Sequence, residues 1–488
     1  MENKKLDEYE IRKNKLEEIS KKEIAYKEKY NVNTELFDVK KLSDGSILKV
    51  AGRIIAKRVF GKLMFIDLYD INGTTQISIS KNEFSEDYSY YKQNIDIGDF
   101  IGVDGELYTT GIGEKTIRVN KLEILSKALR PLPEKYHGIT DNDIKYRQRY
   151  LDIISNDYTR NTFKKRIQIL NDIKDYLRIN KFVEVETPIL QSVACGANAR
   201  PFETHHHALN EDYFLRIAPE LFLKQVVESG FNRVFEMGKN FRNEGMDASH
   251  LQEFTMLEWY AAYWDYLDNM IFLENMIKEV IKDVNGDLNV VYQGINLDFS
   301  NIEKLDYSKE LSKVLNRDIL EITDVNEIKK ILKDNELFNE KEVDSLKSIT
   351  SAIDYIFKRR IRPYIISPTV VYNYPAYMVP LARRNDIDER IIDMFQLIVN
   401  GWEISKCYSE LINPQTQRKT FLDQARDKAA GDEDAMSIDE DFILAMEHGM
   451  PPMSGLGLGI DRFVSLLTDE PTLRDVVLFP QMKKIKKM

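Results

Sequence analysis

The strongest constraint on the fold is a series of short apolar runs between Ile47 and Leu125. Apolar and polar residues that alternate are typical of β-strands with one buried face. The five runs are Ile47–Ile54, Leu63–Leu68, Thr75–Ile79, Asp99–Gly105 and Thr116–Val119. Asn72-Gly73, between the second and third runs, is a strong signal for a hairpin turn. Five short strands with glycines at the bends predict a small closed barrel.

Five-stranded barrels of this size are typical of the OB type, which binds single-stranded nucleic acid by stacking bases on aromatic side chains. Phe65 and Gln76 lie on neighbouring strands of the predicted hairpin, and Glu114 lies on a later loop. For Phe65, the alternating pattern alone favours the hydrophobic core over a binding surface.

Composition places the chain among globular proteins and excludes disordered and fibrous classes. Its 488 residues are 43% hydrophobic and 31% charged, and the length suggests about three domains. The first thirty residues are dense in Lys and Glu, so we expect no secretory signal, and no apolar run is long enough to cross a membrane. Cys195 and Cys407 cannot form a disulfide framework, so the cytoplasm is the expected compartment.

The net charge of −11, from 69 basic and 80 acidic residues, first argues against a polyanionic partner. Binding to phosphates needs local positive potential. However, residues 151–488 hold 42 basic and 55 acidic residues, whereas residues 1–150 hold 27 and 25. The part of the chain that contains the predicted barrel is slightly positive and is therefore compatible with nucleic acid.

Composition and periodicity divide the chain into four segments. Residues 1–30 carry Lys and Glu at helical spacing, which predicts a charged helix that is either simply solvated or also touches RNA phosphates. The barrel is assigned to residues 31–125 and a linker to residues 126–158. Residues 159–488 mix helices and apolar strands, with a predicted helical insertion at about 265–350.

Two segments stand out as candidate sites. In Gly455–Arg462, glycines at every second position leave one face of a strand without side chains, so a ligand can approach closely. In Asn240–Gly245, Arg242 and Glu244 would point to the same face of a strand and could hold an anionic group and a hydrogen-bond donor together. A structural salt bridge is the alternative for that pair.

Carboxylates cluster in a third segment. A regular strand would place Lys406, Tyr408 and Glu410 on one face and Glu403 on the other, unless a bend intervenes. Grouped carboxylates can hold Mg²⁺ on polyphosphate or receive an ammonium group. Plain surface charge is the alternative.

In this order, the segments resemble the class II aminoacyl-tRNA synthetases, and within them the bacterial lysyl-tRNA synthetases. The three motifs of the class resemble Phe182–Pro188, Phe241–Glu244 and Gly455–Arg462. Further similar stretches are Gly196–Phe202, Arg216–Glu220, Glu253–Met256 and Arg474–Pro480. The resemblance extends from about residue 45 to residue 482.

This resemblance implies an α+β protein with a five-stranded OB-fold anticodon-binding barrel and a catalytic antiparallel β-sheet flanked by helices. It implies a homodimer that activates L-lysine with ATP and Mg²⁺ to lysyl-adenylate and pyrophosphate, then transfers lysine to the 3′ end of lysine tRNA. The catalytic residues would be Arg242 and Arg462, which neutralise charge on the reacting α-phosphate and clamp the far end of ATP.

The resemblance also implies the ligand-binding residues. Those for ATP would be Arg242, Glu244, His250, Phe254, Glu403 and Arg462. Those for lysine would be Gly196, Glu220, Arg242, Glu258, Tyr260, Lys406, Tyr408 and Glu410. Those for the anticodon would be Phe65, Gln76 and Glu114. Those for Mg²⁺ would be Glu403, Gln396 and Glu410.

Several residues depart from the pattern usual in this family. They are Lys406 and Ile412 in place of Asn, Gln396 and Tyr377 in place of Glu, and Cys195 in place of Gly. These departures leave open a catalytically altered relative that binds RNA or lysine, or that ligates lysine to another acceptor. The aspartyl and asparaginyl enzymes are near rivals, but they are not expected to carry Ala218-Pro219-Glu220 in this form.

Overall fold

The computed structural model describes residues 7–133, 139, 141–197, 199–245, 247–322, 324–334, 338–429 and 437–485. The chain divides into two compact units between residues 160 and 161. Within the described ranges, no helix combines the length and the apolar character needed to span a membrane.

The first unit is built around a closed barrel. Its elements are α1 (Glu8–Lys22), β1 (Ile47–Phe60), β2 (Leu63–Tyr69), β3 (Thr74–Ser80), α2 (Lys81–Asn94), β4 (Phe100–Thr109), β5 (Lys115–Ser126), α3 (Asn142–Arg147) and α4 (Arg149–Ser155). The strands pair in the order β1-β2-β3-β5-β4, and β4 closes on β1. The predicted five-stranded barrel is confirmed.

Alternation along β2 determines which side chains fill the barrel. Met64, Ile66 and Leu68 are fully buried, whereas Phe65 and Asp67 are half-buried between them. The core position that the pattern alone favoured for Phe65 is therefore wrong. Since successive side chains of a strand point to opposite faces, burying its two neighbours turns Phe65 to the outer surface.

The N-terminal and linker segments contain more structure than their composition indicates. The charged helix is observed as α1, in which Arg12 and Ile19 are buried; residues 1–6 lie outside the described part of the chain. Arg12 is not solvated, because its Nη1 donates to the carbonyl oxygen of Ile97 at 2.9 Å. The segment predicted as a linker contains the two short helices α3 and α4.

The second unit contains the remaining helices and strands. They are α5 (Asp157–Ile179), β6 (Val183–Glu184), β7 (Leu190–Gln191), β8 (Phe202–His206), β9 (Glu211–Leu215), α6 (Glu220–Glu228), β10 (Arg233–Phe241), β11 (Glu253–Ala262), α7 (Tyr266–Asn285), β12 (Asn289–Tyr292), β13 (Ile295–Asp298), β14 (Glu303–Asp306), α8 (Tyr307–Leu315), α9 (Val325–Asp334), α10 (Glu340–Ser345), α11 (Ile349–Arg360), β15 (Thr369–Pro375), β16 (Ile391–Val399), β17 (Trp402–Ser409), α12 (Pro414–Ala429), α13 (Glu440–Glu447), β18 (Met453–Gly459) and α14 (Ile460–Leu467).

An eight-stranded sheet organises this unit, in the order β14-β15-β16-β17-β18-β11-β10-β6. Its strands are antiparallel except for the edge pairs β14-β15 and β10-β6. Buried residues of one face, such as Trp259 and Leu458, pack against α5, α7 and α14. An antiparallel sheet flanked by helices confirms the expected α+β class.

The segment predicted as a helical insertion is only partly helical. Between residues 265 and 350 the chain also forms β12, β13 and β14, and β14 is an edge strand of the main sheet. The sequence conceals β14 because Glu303 and Lys304 are charged and exposed, as is common at a sheet edge.

Candidate active site

A cavity of about 300 Å³ opens on the face of the sheet opposite Leu456 and Leu458. Alternate residues of three strands form its floor, because side chains two positions apart share a face. They are Phe254, Met256, Glu258 and Tyr260 of β11, Lys406 and Tyr408 of β17, and Gly455, Gly457 and Gly459 of β18.

The glycines of β18 leave the centre of this floor open. Gly455 lies opposite Tyr260, and Gly457 lies opposite both Glu258 and Lys406. A Cβ atom at Gly455 would lie 2.2 Å from the Tyr260 ring, whereas the nearest atom to a Cβ at Gly457 would be 3.6 Å away. Packing therefore requires glycine at 455, while glycine at 457 leaves free space above the sheet.

A β-bulge turns Glu403 into the cavity. The register of β16 against β17 shifts between Leu397 and Ile398, and Ile398 lies opposite Glu403. The extra residue in β17 brings Glu403 to the face that carries Lys406, and both residues line the cavity. A regular strand would have placed Glu403 and Lys406 on opposite faces. The bend that the sequence analysis allowed as an alternative therefore determines the position of Glu403.

Three buried carboxylates lie near Gly455, and two of them pair with the same lysine. Glu220, Glu258 and Glu410 expose 6%, 5% and 2% of their surface. Lys224, one turn after Glu220 on α6, donates to Glu220 Oε1 at 2.7 Å and forms an ion pair with Glu410. The cluster therefore has fewer positive than negative groups.

Two tyrosines hold these carboxylates in place. The Tyr408 hydroxyl donates to both oxygens of Glu220, at 2.7 and 2.8 Å, and the Tyr260 hydroxyl donates to Glu258 Oε2 at 3.1 Å. Burial, followed by the charge of Glu220, raises the pKa of Glu258 to about 8. Burial likewise raises the pKa of Glu410 well above its ordinary value. A positively charged ligand would relieve this accumulation of negative charge.

Two arginines line the cavity near Phe254. The guanidinium carbon of Arg242 lies 5.1 Å from the centre of the Phe254 ring, and its buried Nε makes no hydrogen bond within the described part of the chain. Arg462 Nη1 donates to the carbonyl oxygen of Glu403 at 2.8 Å. Arg242 is therefore available to an anion, while Arg462 is positioned by the backbone of β17.

The strand predicted around Arg242 and Glu244 ends earlier than expected. β10 stops at Phe241, so both residues lie in the loop between β10 and β11, where Glu244 is exposed. His250 is on the same loop, with Nδ1 2.8 Å from an oxygen of Asp247. All three predicted residues nevertheless line the cavity.

The residues predicted to serve Mg²⁺ are only partly brought together. Gln396 Nε2 donates to Glu403 Oε2 at 3.0 Å, and Gln396 Oε1 accepts from the Tyr374 hydroxyl at 2.6 Å. Glu410 is paired with Lys224 instead. Among the described residues, no group of three or more His, Cys, Asp or Glu side chains could hold a metal. Glu403 fits an ion that ATP phosphates also bind, because Mg²⁺ commonly uses one or two carboxylates plus substrate oxygens.

Comparisons with known proteins decide the family. Residues 141–483 match the family described as class II tRNA synthetases (D, K and N), and residues 48–125 match the OB-fold nucleic acid binding domain. The chain is 44% identical over 440 residues to a lysine–tRNA ligase of Escherichia coli O157:H7, which covers 90% of this chain and 86% of that protein. It belongs to the lysine–tRNA ligase family. The lysine–tRNA ligase of Salmonella paratyphi B is 43% identical over 457 residues, 92% of this chain and 90% of that protein.

Membership in the lysine–tRNA ligase family confirms the resemblance drawn from the motifs. The comparisons give no support to a relative that ligates lysine to another acceptor.

Sequence reasoning missed Lys224, which forms ion pairs with Glu220 and Glu410. Its spacing of four residues from Glu220 on a helix was the available signal, since such residues are neighbours on a helix surface. Gly196 lies as expected against the receptor, with a φ of +93° that suits glycine.

Four of the five unusual residues of this family member do not line the cavity, namely Cys195, Tyr377, Gln396 and Ile412. Cys195 is buried, with Sγ 3.5 Å from the carbonyl oxygen of Ser437. Ile412 packs at the border of a hydrophobic cluster, as does Tyr377, whose buried hydroxyl makes no hydrogen bond within the described residues. Lys406 lines the cavity itself, and Gln396 donates a hydrogen bond to Glu403, which also lines it.

The residues predicted to read the anticodon lie at the surface of the barrel. The Phe65 ring is 6.3 Å from that of Phe60, which is 64% exposed. Gln76 Oε1 accepts from the Thr116 hydroxyl at 2.9 Å. Glu114 is in the turn that precedes β5.

Proposed function

We propose that this chain is a lysine–tRNA ligase: it activates L-lysine with ATP and then esterifies the 3′ end of lysine tRNA. The main support for the proposal is the charge of the buried carboxylates Glu220, Glu258 and Glu410, which together form the proposed lysine receptor. Lys224 forms ion pairs with Glu220 and Glu410, whereas within the described part of the chain no basic side chain pairs with Glu258, so the cluster holds more carboxylates than paired ammonium groups. Lysine brings two ammonium groups, one at each end of its side chain.

The receptor also explains how lysine would be oriented. Glu220 would take the α-ammonium, and Glu258, Tyr260 and Glu410 would surround the ε-ammonium. A buried polar receptor rejects a substrate that lacks the matching group, because its own polar atoms are then left without partners. The carboxylate of lysine is thereby directed toward Arg242 and the open floor over Gly457.

Activation needs no nucleophile from the protein. A carboxylate oxygen of lysine attacks the α-phosphorus of ATP, the bond to the bridging oxygen breaks, and pyrophosphate leaves. Arg242 would bind the oxygens that gain charge in this step, Arg462 would hold the distal phosphates, and Phe254 would stack on adenine. Mg²⁺ bound with ATP, and held by Glu403, would supply charge neutralisation on the phosphates.

The outer face of the barrel is the proposed anticodon surface. Phe60 and Phe65 offer rings for stacking, and Arg58 offers a cation beside Asp67, to which it makes two hydrogen bonds of 2.9 and 2.7 Å. Gln76 and Glu114 add hydrogen-bonding groups.

We also propose that the protein is a cytoplasmic homodimer. Three apolar residues near the edge strand β6 support the dimer, because Ile179, Val183 and Leu190 are 77%, 46% and 49% exposed. The two cysteines, both free and buried, agree with a reducing compartment.

Charging of tRNA by the purified full-length chain tests the proposed function. We expect lysine to be attached to lysine tRNA in the presence of ATP and Mg²⁺, with other amino acids as the control. Lysine-dependent exchange of pyrophosphate into ATP without charging would show that the acceptor is not tRNA.

A further inference from the structure

Lys406 places an ammonium group in the cavity without a protein partner. Its side chain lines the cavity, yet within the described part of the chain Nζ forms no hydrogen bond or salt bridge. Lys406 Nζ lies 5.8 Å from the centre of the Tyr408 ring. Lys224, by contrast, is paired with two carboxylates. Lys406 is partly buried, so its ammonium group is stabilised in the charged form when a ligand in the cavity pairs with it.

The position of Lys406 indicates which ligand it meets. Lys406 lies opposite Gly457 on one side and opposite Gln396 on the other, so its ammonium borders the open floor of the cavity. The charges of Glu403 and Glu220 act on it, as does that of Arg242, although burial is the largest influence and lowers the pKa of Lys406. The residues proposed for the phosphates and for the amino acid thus surround it.

Gln396 is uncharged, so the part of the cavity around Glu403 and Lys406 lacks the second carboxylate that a further divalent cation would need. Its amide nitrogen donates to Glu403 and its amide oxygen accepts from Tyr374, so it adds no negative charge beside Glu403. This part of the cavity therefore presents one carboxylate, Glu403, and one ammonium group, Lys406. Two adjacent carboxylates would attract an additional Mg²⁺, whereas this pair does not.

We propose that Lys406 acts as a resident cation of the reaction centre, binding the phosphate oxygens of ATP where one Mg²⁺ ion would otherwise be held. This inference rests on the proposed function, because it takes ATP to be the nucleotide in the cavity. Lys406 and Gln396, which lie opposite each other on neighbouring strands, then act together: Gln396 leaves out a carboxylate, and Lys406 supplies an ammonium group.

Counting bound metal ions tests the proposal without any need for catalysis. Full-length protein is saturated with a non-hydrolysable ATP analogue and titrated with Mn²⁺, and free Mn²⁺ is measured by electron paramagnetic resonance. We expect the wild-type chain to bind one ion fewer per subunit than the double variant Lys406→Asn/Gln396→Glu. Gln396→Glu alone should gain none, because the new carboxylate would pair with Lys406 across the strands.

The matched control is Lys304→Asn, which removes the same charge from the exposed edge strand β14 and should bind as many ions as the wild type. Equal ion counts in the wild type and the double variant would overturn the proposal. If the double variant does not fold, Lys406→Met decides: its Kd for the analogue should rise about tenfold or more, and an unchanged Kd would also overturn the proposal. Failure of the proposed function would appear separately, as absence of lysine-dependent pyrophosphate exchange in the wild type.

Discussion

Glu258 shows at the scale of one residue how the proposed lysine receptor would select a cation. Its carboxyl group is buried between Glu220 and Tyr260, and its pKa is raised to about 8. An ammonium ligand favours the ionised form, so binding of lysine must lower this pKa. Below pH 8 the free carboxyl group is mostly protonated, and each binding event therefore releases a proton.

We therefore expect lysine affinity to fall as the pH is lowered from 8 to 6, approaching about tenfold per pH unit. Calorimetric titration of lysine in two buffers with different ionisation enthalpies measures the proton released at pH 7. Glu258→Gln should lower that release, with Glu303→Gln, on the exposed edge strand β14, as the control. Binding without proton release in the wild type would refute this assignment.

Sequence reasoning located individual site residues better than their partners. Glu258, Tyr260 and Glu410 were predicted as lysine-binding residues, and the structure places Tyr260 and Glu410 beside Gly455, with Glu258 hydrogen-bonded to Tyr260. Lys224 was missed because a lysine four residues after a glutamate is far more often an exposed helix pair than a buried one. Burial depends on what packs over the helix, which local spacing does not contain.

At the scale of elements, β18 and β17 shape the cavity by opposite means. β18 leaves space by omitting side chains, whereas β17 adds a residue in a bulge that turns Glu403 inward. The glycine period was readable from the sequence because it is a property of one strand. The bulge was not readable, since it is defined by the register against β16 and exists only once two distant segments pair.

Two glycine variants test whether each glycine is needed for packing of the protein or for space that a ligand occupies. Gly455→Ala should destabilise the protein by about 1–3 kcal/mol, because its Cβ would overlap the Tyr260 ring. Gly457→Ala should leave the melting temperature nearly unchanged but raise the KM values for lysine and ATP, because its Cβ projects into the cavity. Thermal unfolding and pyrophosphate exchange measure the two effects. Equal loss of stability in both variants would mean that Gly457 is also a packing position.

At the scale of the whole molecule, net charge is informative only after it is divided by segment. Residues 151–488 carry a net charge of −13, and the buried carboxylates Glu220, Glu258 and Glu410 belong to this part of the chain. Residues 1–150 are nearly balanced, and this part contains the barrel with its exposed rings. The α+β class and the barrel were predictable because they depend on strand patterns and ordered motifs. The strand β14 and the helices α3 and α4 were not, because their polar sequences resemble loops.

We propose that a buried trio of carboxylates selects an amino acid with two ammonium groups. Exchange of pyrophosphate into ATP, measured with lysine and with norleucine, tests it most directly, because norleucine has the same chain length but lacks the ε-ammonium. We expect kcat/KM for lysine to exceed that for norleucine roughly a thousandfold or more. We also expect Glu410→Gln to raise the KM for lysine far more than that for ATP. Comparable exchange with both amino acids, or no exchange with lysine in folded protein, would show that these carboxylates do not select lysine.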